Sequence, residues 1–334
     1  MLPVKGIFPV NGRSYAPVTV RRTKDRYMPE RKKLESNLDK VEVRQVEFEC
    51  HGEKLHGDLY LPKKRPPFGK LPGVVVTGAW TSVKEQMSGL YASELAMRGF
   101  VALAFDFRGW GLSAHDGKTK YLEDPTRKTD DIRAAIDFMG RCPDVDPDRI
   151  CGLGICASAG YMSAATGGNR HVHSLALVAP WLHNSEIVSE VYGGAEGVSE
   201  LLKVGRDALT HEEPRYIVAA SKVDDTALMF DVEYYTEEDR GLIPEFDNKF
   251  NLASWEAWLT FDGVHTAEKQ NQPTLIVHSE AAAIPKGARE FARRMGDRAT
   301  TLWFEDVTQF DFYDKAQPID RALEAVAEHF LSTM

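Results

Sequence analysis

The sequence predicts an α/β fold built on a mostly parallel, doubly wound sheet. Two observations indicate this class. After residue 62, short apolar strands alternate with segments of helical length and period, as in chains of successive βαβ units. The apolar run Ile150–Ile155 also leads through small residues directly into a helix-compatible segment, which predicts a sharp strand-to-helix turn.

The elements are predicted in chain order from periodicity and turn residues. Residues 41–49 alternate apolar and charged side chains, and a His51-Gly52 turn leads into residues 55–62, so these segments form an antiparallel hairpin. Buried strands are predicted at 73–77, 100–105, 150–155, 174–180, 273–278 and 300–304. Helices with apolar residues on one side are predicted at 83–98, 129–139 and 319–334.

The long segment between the fourth and fifth buried strands predicts an insertion. About ninety residues separate Pro180 from Pro273, far more than an ordinary connection needs. We expect residues 184–268 to form a cap over the site, with a helix at 197–209, and residues 41–183 and 269–334 to form the core. The aromatic residues of the cap are expected mainly in its own core, with substrate contact as the alternative.

Composition and charge exclude several functions. The chain has 334 residues, 43% hydrophobic, and a formal net charge of −9. Residues 1–40 hold ten Lys/Arg against four Asp/Glu, which leaves −15 for the rest, so the body repels nucleic acid. This basic arm is expected to pack on the protein or to form a dimer contact, with a nucleic-acid tail as the alternative.

Targeting and cysteine patterns predict a soluble cytoplasmic protein. The first residues open no long apolar run, so neither a signal peptide nor a membrane span is expected. Four cysteines show neither a CxxC pair nor metal-ligand spacing with histidine, which is typical of free thiols. No metal, nucleotide or flavin site is predicted, because Gly152-Leu153-Gly154 lacks the remaining residues of a dinucleotide fingerprint.

The predicted sharp turn marks Cys156 as a candidate nucleophile. A strained turn of this kind needs small neighbours, and Gly154 and Ser158 flank the cysteine. A rival register makes Ser158 the nucleophile, but the strand would then need two more residues before the turn. The structural alternative is a buried cysteine that acts only as a small hydrophobe.

With these motifs the chain resembles the α/β-hydrolase superfamily over residues 41–334. The segment 77–80, Thr-Gly-Ala-Trp, stands where the family has its oxyanion loop, and residues 106–113 resemble its D-x-R-G-x-G-x-S loop. With a cysteine at the nucleophile position, the chain resembles the dienelactone-hydrolase branch of the superfamily. The segments 83–86 and 179–181 are similar to the dienelactone-hydrolase and X-Pro-peptidase-like group.

The resemblance implies roles for several residues. The oxyanion donors would be the backbone N–H groups of Ala157 and Ala79, with Trp80 as the neighbouring candidate. The helix after Cys156 would favour its thiolate. In the second loop, Asp106, Arg108 and Ser113 would brace the site, with catalysis by Arg108 as a minor alternative.

The remaining partners of a catalytic triad are missing from their family positions. Ala282 stands where the acid is expected, and Glu280 is the nearby carboxylate; it is expected to orient a base, to act as base if burial raises its pKa, or to cap a turn. Gln309 stands where the histidine is expected, and an amide cannot take a proton from a thiol. We expect Gln309 either to hydrogen-bond substrate or Cys156, or to be passive.

Three histidines are considered as replacements for the missing base. His183 follows the strand that ends at Pro180, His265 lies late in the cap, and His278 ends a strand. A structural role is the stronger expectation for each of them, with entry of His183 into the pocket as a substrate-binding alternative.

The sequence therefore leaves three functions open. The first is a Cys-dependent hydrolase or acyl-transfer enzyme on an ester, lactone or thioester, with Cys156, Glu280 and Gln309 as candidate catalytic residues. The second is a cyclase, lyase or isomerase on the same fold, which suits the missing acid and base. The third is a non-catalytic binder of small molecules. An aromatic-rich cap indicates a bulky apolar small molecule as the partner, and a homodimer is the other partner considered.

Overall fold

The computed structural model describes residues 39–65 and 69–334. Most of the predicted basic arm lies outside these residues. In the described part, an eight-stranded sheet has the order β1-β2-β4-β3-β5-β6-β11-β12. Its strands are β1 (Val41–Cys50), β2 (Glu53–Pro62), β3 (Leu71–Thr77), β4 (Val101–Phe105), β5 (Val145–Ile155), β6 (Val172–Val178), β11 (Thr274–Ser279) and β12 (Ala299–Phe304).

The pairing directions confirm the predicted α/β class. β1 pairs with β2 and β2 with β4 in antiparallel fashion, so the predicted hairpin forms one edge. All other pairs in this sheet are parallel. Strands such as β4 are buried along their whole length, as expected for a sheet covered on both faces.

Helices cover the sheet in two groups. The helices are α1 (Met87–Met97), α2 (Pro125–Arg141), α3 (Ser158–Thr166), α4 (Ser185–Val191), α5 (Gly194–Thr210), α6 (Glu233–Thr236), α7 (Ser254–Thr260), α8 (Pro285–Met295), α9 (Asp311–Asp314) and α10 (Ala316–Thr333). From β3 the chain crosses through α1 to β4 on one side, and later through α3 from β5 to β6 in the other direction. Right-handed crossovers in opposite directions place α1 and α3 on opposite faces.

Two helices differ from their predicted bounds for local reasons. The first begins at Met87 rather than at residue 83, because the Gln86 side chain accepts the backbone N–H of Val83 and breaks the helical pattern there. The second begins at Pro125 rather than at residue 129. The Asp124 carboxylate caps it by accepting from the N–H groups of Thr126 and Arg127, and a proline suits the first helical position.

The segment between β6 and β11 lies outside the main sheet. It contains α4 to α7 and two small sheets, formed by β7 (Tyr216–Val218) with β10 (Lys249–Asn251) and by β8 (Ala220–Ser221) with β9 (Met229–Phe230). We call residues 184–268 the insertion. Hydrogen bonds join it to the core, from Gln86 Nε2 to the Gly241 carbonyl at 2.7 Å and from the Gly111 N–H to Asp247 at 2.9 Å.

Buried residues run continuously from the sheet into the insertion. Trp255 and Trp258 of α7 belong to the same apolar cluster as β3 and β5, so the two regions share one core. All four cysteines are free and buried. Within the described ranges, no helix combines the length and the apolar character needed to cross a lipid bilayer.

Candidate active site

The strand order reverses next to β3, and this reversal positions the site. β3 lies between β4 and β5, and Thr77 at its end pairs with Gly154 of β5. Connections from neighbouring strands diverge at such a point and leave a crevice at the carboxyl ends of the strands. The loop after β3 and the turn after β5 therefore face each other.

Cys156 occupies the sharp turn that the sequence predicts. Its backbone has φ 58°, in the left-handed region that costs a non-glycine residue about 1 kcal/mol or more. The turn needs small neighbours, since a Cβ on Gly154 would lie 2.7 Å from the Ala159 Cα. Two backbone hydrogen bonds hold the strained residue in place. The Cys156 N–H donates to the Val178 carbonyl at 3.1 Å, and the Trp181 N–H donates to the Cys156 carbonyl at 2.9 Å.

The rival nucleophile, Ser158, has a different environment. It is fully buried at the start of α3. Its hydroxyl donates to the Ile155 carbonyl at 3.0 Å and lies 3.3 Å from the Ile155 N–H. The hydroxyl of Ser158 thus closes the turn at whose apex Cys156 lies.

Hydrogen-bond donors surround the Cys156 sulfur. Burial, with only 3% of the residue exposed, raises the pKa of the thiol to about 11, while hydrogen bonds from Tyr313, the Ala157 N–H and Gln309 act in the opposite direction. The Ala157 N–H at the start of the helix after Cys156 favours the thiolate, but burial has the larger effect on the pKa. Desolvation outweighs the donors, and the sulfur carries its proton at neutral pH.

Gln309 is buried and held by both ends of its amide. Its Oε1 accepts the Ala283 N–H at 3.1 Å, and its Nε2 donates to the Ala179 carbonyl at 2.8 Å and to the Tyr313 hydroxyl oxygen at 3.0 Å. These partners fix the orientation of the amide and engage both of its N–H groups. Through Tyr313, Gln309 is linked to the surroundings of Cys156, and its remaining partners are backbone groups.

Tyr313 was not identified from the sequence. It lies on α9, four residues after Gln309, and its hydroxyl hydrogen-bonds with the Cys156 sulfur. Burial raises the pKa of Tyr313 well above its ordinary value, so the phenol stays protonated and donates. The signal available in the sequence was the i, i+4 spacing, which places both side chains on one side of a helical turn.

The loop after β3 offers one engaged and one open amide. The Ala79 N–H is directed at the Met87 sulfur at 3.5 Å, and the Ser82 hydroxyl donates to the Ala79 carbonyl at 2.6 Å. The Trp80 N–H forms no hydrogen bond with any residue of the described ranges. Of the two predicted loop donors, Trp80 therefore has the available N–H.

Aromatic side chains form a wall beside the turn. The Trp80 ring lies 4.7 Å from that of Trp258, 5.7 Å from that of Phe250 and 6.5 Å from that of Trp181. Trp258 also donates through its indole N–H to the Tyr192 hydroxyl at 2.6 Å. Three of these five residues come from the insertion, so it contributes much of the apolar surface next to Trp80.

His183 lies in this aromatic wall and has no nitrogen available for proton transfer. Its Nδ1 accepts from the Trp181 indole N–H at 3.0 Å, which leaves Nε2 as the donor to the Trp258 carbonyl at 3.1 Å. Burial lowers the pKa of His183 to about 4, so the ring is neutral. The structural role expected for this histidine agrees with these contacts.

The two other histidines lie elsewhere. His265 is more than half exposed, and its Nδ1 lies 3.1 Å from the Glu268 carboxylate. His278 is buried in β11, where its ring meets that of Trp303 edge to face at 5.2 Å, and burial lowers its pKa to about 4. None of the three supplies an imidazole to the Cys156 sulfur.

Glu280 lies on the surface at the end of β11. Its carboxylate is 41% exposed, pairs with Arg289, and accepts the Trp303 indole N–H at 2.7 Å. Glu280 is therefore not buried, and burial was the condition under which it was expected to act as a base. Ala282, where the family has its acid, is buried, and its neighbour Ala283 binds Gln309.

The loop after β4 is braced by ionic groups. Asp106 accepts the N–H groups of Lys84 at 2.8 Å and Leu112 at 3.0 Å. Arg108 pairs with Asp131 of α2, and the Ser113 hydroxyl accepts the His56 N–H at 2.9 Å. These contacts agree with the bracing role that the resemblance implies, since the Arg108 guanidinium is occupied by protein groups.

Comparison with known proteins identifies the family. The model of the dienelactone hydrolase family matches residues 29–181. An uncharacterized protein of Pseudomonas aeruginosa is 30% identical over 306 residues, which cover 87% of this chain and 81% of that protein. The chain belongs to the dienelactone hydrolase family. It has the α/β-hydrolase fold, and the crystal structure of the Pseudomonas protein superposes with a TM-score of 0.76 at 26% identity, over 88% of this chain and 94% of that one.

Two fungal enzymes are also similar. The acyltransferase drtE of Aspergillus calidoustus is 26% identical over 210 residues, which cover 63% of this chain and 65% of that enzyme. The thiohydrolase aneE of Aspergillus aculeatus is 27% identical over 168 residues, which cover 49% of this chain and 51% of that enzyme. Family membership indicates an enzyme of the hydrolase type.

Proposed function

We propose that this member of the dienelactone hydrolase family is a cysteine-dependent acyl-transfer enzyme whose acyl donor is a thioester. The observation that carries the proposal is the set of groups around the Cys156 sulfur. They are the Tyr313 hydroxyl and the Ala157 N–H, with Gln309 bonded to the Tyr313 hydroxyl and no imidazole among them. Donors suit a reaction in which charge develops on sulfur and oxygen, but they cannot permanently remove a proton.

Thioester chemistry fits a nucleophile without a base. The Cys156 sulfur forms a bond to the acyl carbon, the carbon–sulfur bond of the donor breaks, and the thiol proton passes to the departing sulfur. One thiol is consumed and another is released, so no net proton is taken up and no strong base is consumed. The Tyr313 hydroxyl, bonded to the Cys156 sulfur and to Gln309 Nε2, lies where it can relay this proton.

The second half of the reaction returns the proton. A hydroxyl of the acceptor attacks the acyl carbon, the bond to the Cys156 sulfur breaks, and the acceptor proton restores the thiol. The Trp80 and Ala157 N–H groups are proposed to hold the oxyanion in both halves, because they are the available amides beside the turn. Water as the acceptor gives hydrolysis, and an alcohol gives transfer.

The apolar walls support a bulky, uncharged acyl group. Trp80, Trp181 and Trp258 form one side of the site, and His183 is neutral there. Because Cys156 is only 3% exposed, we propose that the insertion moves to admit a substrate. The printed activities of the similar fungal proteins, an acyltransferase and a thiohydrolase, agree with this chemistry.

The proposal is tested with acyl thioesters of N-acetylcysteamine of increasing chain length, with and without octanol as acceptor. Mass spectrometry of the trapped enzyme should find one acyl group on the peptide that contains Cys156. Cys156→Ala should lose both the adduct and turnover. Cys151→Ala, which changes a buried cysteine in the middle of β5, is the matched control. Full turnover by Cys156→Ala would overturn the proposal.

A cyclase, lyase or isomerase is the second candidate, favoured by the same lack of an imidazole at the sulfur. In that reaction the donors would polarise a carbonyl without an acyl-enzyme. The adduct would then be absent in wild type, and Cys156→Ala would retain conversion of the true substrate.

A further inference from the structure

We propose that Glu123 is a positioning residue that couples the oxyanion loop, residues 78–82, to the insertion. The proposal rests on the proposed function, because it concerns the Trp80 amide that would hold the oxyanion. Glu123 lies between β4 and α2 and is fully buried. No motif in the sequence pointed to it.

The Glu123 carboxylate binds three elements at once. Its Oε2 accepts the Thr81 N–H at 3.1 Å, its Oε1 accepts the Tyr161 hydroxyl at 2.9 Å, and Lys128 Nζ lies 2.8 Å from Oε1 and 2.9 Å from Oε2. Thr81 belongs to the oxyanion loop, Tyr161 to α3 after Cys156, and Lys128 to α2. One carboxylate therefore sets the distance between the loop and the helix that follow the two central strands.

The contact with Thr81 holds a strained peptide. Thr81 has φ 59°, an unfavourable value for a β-branched residue, and directly follows Trp80. A residue in this region persists only when its surroundings over-determine it. Without the bond to Glu123, the Thr81 peptide would relax toward an ordinary conformation and turn the Trp80 peptide with it.

The backbone of Glu123 extends the coupling to the insertion. Its N–H donates to the Ser254 hydroxyl at 2.9 Å, and Ser254 is the first residue of α7. Trp258 of the same helix packs on Trp80 at 4.7 Å. When α7 is seated, Glu123 and Trp258 hold the Trp80–Thr81 segment from two sides, so closure of the insertion and assembly of the oxyanion hole are linked.

Lys128 is the third donor to the Glu123 carboxylate. It is buried, and its Nζ lies 4.6 Å from the centre of the Phe107 ring and 4.9 Å from that of Trp110. A carboxylate offers two acceptor oxygens to these donors, whereas an amide offers a single oxygen.

The test compares two reactions of Cys156 in Glu123→Gln. Acylation by an N-acetylcysteamine thioester needs the oxyanion hole, whereas alkylation by iodoacetamide does not. We expect kcat for the thioester to fall about tenfold to a hundredfold with KM within about threefold, and the alkylation rate to stay within about threefold of wild type. Asp131→Asn is the matched control, because Asp131 is an equally buried carboxylate of α2 paired with Arg108, and it should leave this ratio unchanged.

Glu123→Gln leaves Lys128 buried without a counter-ion, so the double variant Glu123→Gln with Lys128→Met is made alongside. It removes both charges and should show the same selective loss of acylation in a folded protein. Equal losses of acylation and alkylation, or an unchanged kcat, would overturn the positioning role. Failure of the wild-type enzyme to be acylated at Cys156 would overturn the proposed function and this inference with it.

Discussion

Two pairs of strands contribute to the surroundings of Cys156, and the segments that follow them carry different chemical groups. The turn after β5 holds Cys156 at φ 58°, and the loop after β3 carries the open Trp80 amide. The segments after β11 and β12 carry Ala282 and Gln309 where the acid and base are expected. In the proposed mechanism the first pair prepares an attack on a carbonyl, and the second supplies donors instead of a proton acceptor.

This difference shows that the two halves of a hydrolase site are separable. Backbone strain and amide direction depend on the sheet, which is shared by the whole fold. Proton transfer depends on two side chains in loops, which can change without disturbing the sheet. The buried amide of Gln309 forms three hydrogen bonds, so its oxygen and both of its N–H groups have partners.

The largest effect is expected from removing the sulfur. Cys156→Ser keeps the turn but replaces a thiol with a hydroxyl that no neighbouring base can activate. Thioester turnover should fall about a thousandfold or more, nearly as far as in Cys156→Ala. Steady-state kinetics with both variants measure this. A serine variant with more than a tenth of wild-type activity would mean that a base is present after all.

The next largest effect is expected at the Tyr313 hydroxyl. Tyr313→Phe removes the donor to the Cys156 sulfur and the proposed relay, so kcat should fall about a hundredfold. The loss of a donor should also raise the pKa of the thiol further, which slows its alkylation at a given pH. Tyr60→Phe, which changes a buried tyrosine of β2, serves as control. Unchanged kcat in Tyr313→Phe would exclude the relay.

Restoring the family's base should change the reaction. Gln309→His places an imidazole beside Tyr313, where it can accept the thiol proton. The apparent pKa of Cys156 should fall below its present value of about 11, with about a tenfold gain in alkylation rate at neutral pH for each unit. Oxygen esters should then be hydrolysed faster relative to thioesters. An unchanged ester-to-thioester ratio would contradict the distinction between the two halves.

A buried ion pair joins the insertion to α9, the helix that carries Tyr313. Arg240 Nη2 donates to Asp314 Oδ1 at 2.9 Å, and Asp314 directly follows Tyr313. Arg240→Met removes the guanidinium from the buried Asp314 carboxylate and should lower the free energy of unfolding by about 3 kcal/mol. Denaturant unfolding measures it. Arg206→Met, which breaks an exposed pair with Glu256, should change stability by less than about 0.5 kcal/mol.

The last effect is the smallest at neutral pH and concerns acid stability. The pKa of buried His278 is about 4 instead of 6.5, so the unfolded chain binds a proton that the folded chain does not. Stability from this group is present above pH 6.5 and is lost as the pH falls toward 4, by up to about 3 kcal/mol. His278→Phe should flatten the decline of the unfolding free energy over this window. A decline as steep as in wild type would assign it to other groups.

The parts of the site predicted from sequence are those whose geometry is local. The turn at Cys156 needs small residues within two positions, so Gly154 and Ser158 reveal it, and the absence of histidine at 309 is read directly. Tyr313 and Glu123 were missed because their roles depend on contacts between segments distant in sequence, such as Glu123 with Thr81 and Tyr161. The exposure of Glu280 could not be predicted from the sequence either, because Arg289 and Trp303 bind it only in the folded chain.

The burial of the Cys156 thiol also affects how fast it is oxidised. Peroxides react with thiolates that they can reach, and Cys156 is 3% exposed with a pKa of about 11. The resting enzyme should therefore resist conversion to the sulfenic acid. Opening for substrate would bring the sulfur to solvent, so the oxidative lifetime of the protein should be shortest while it is turning over.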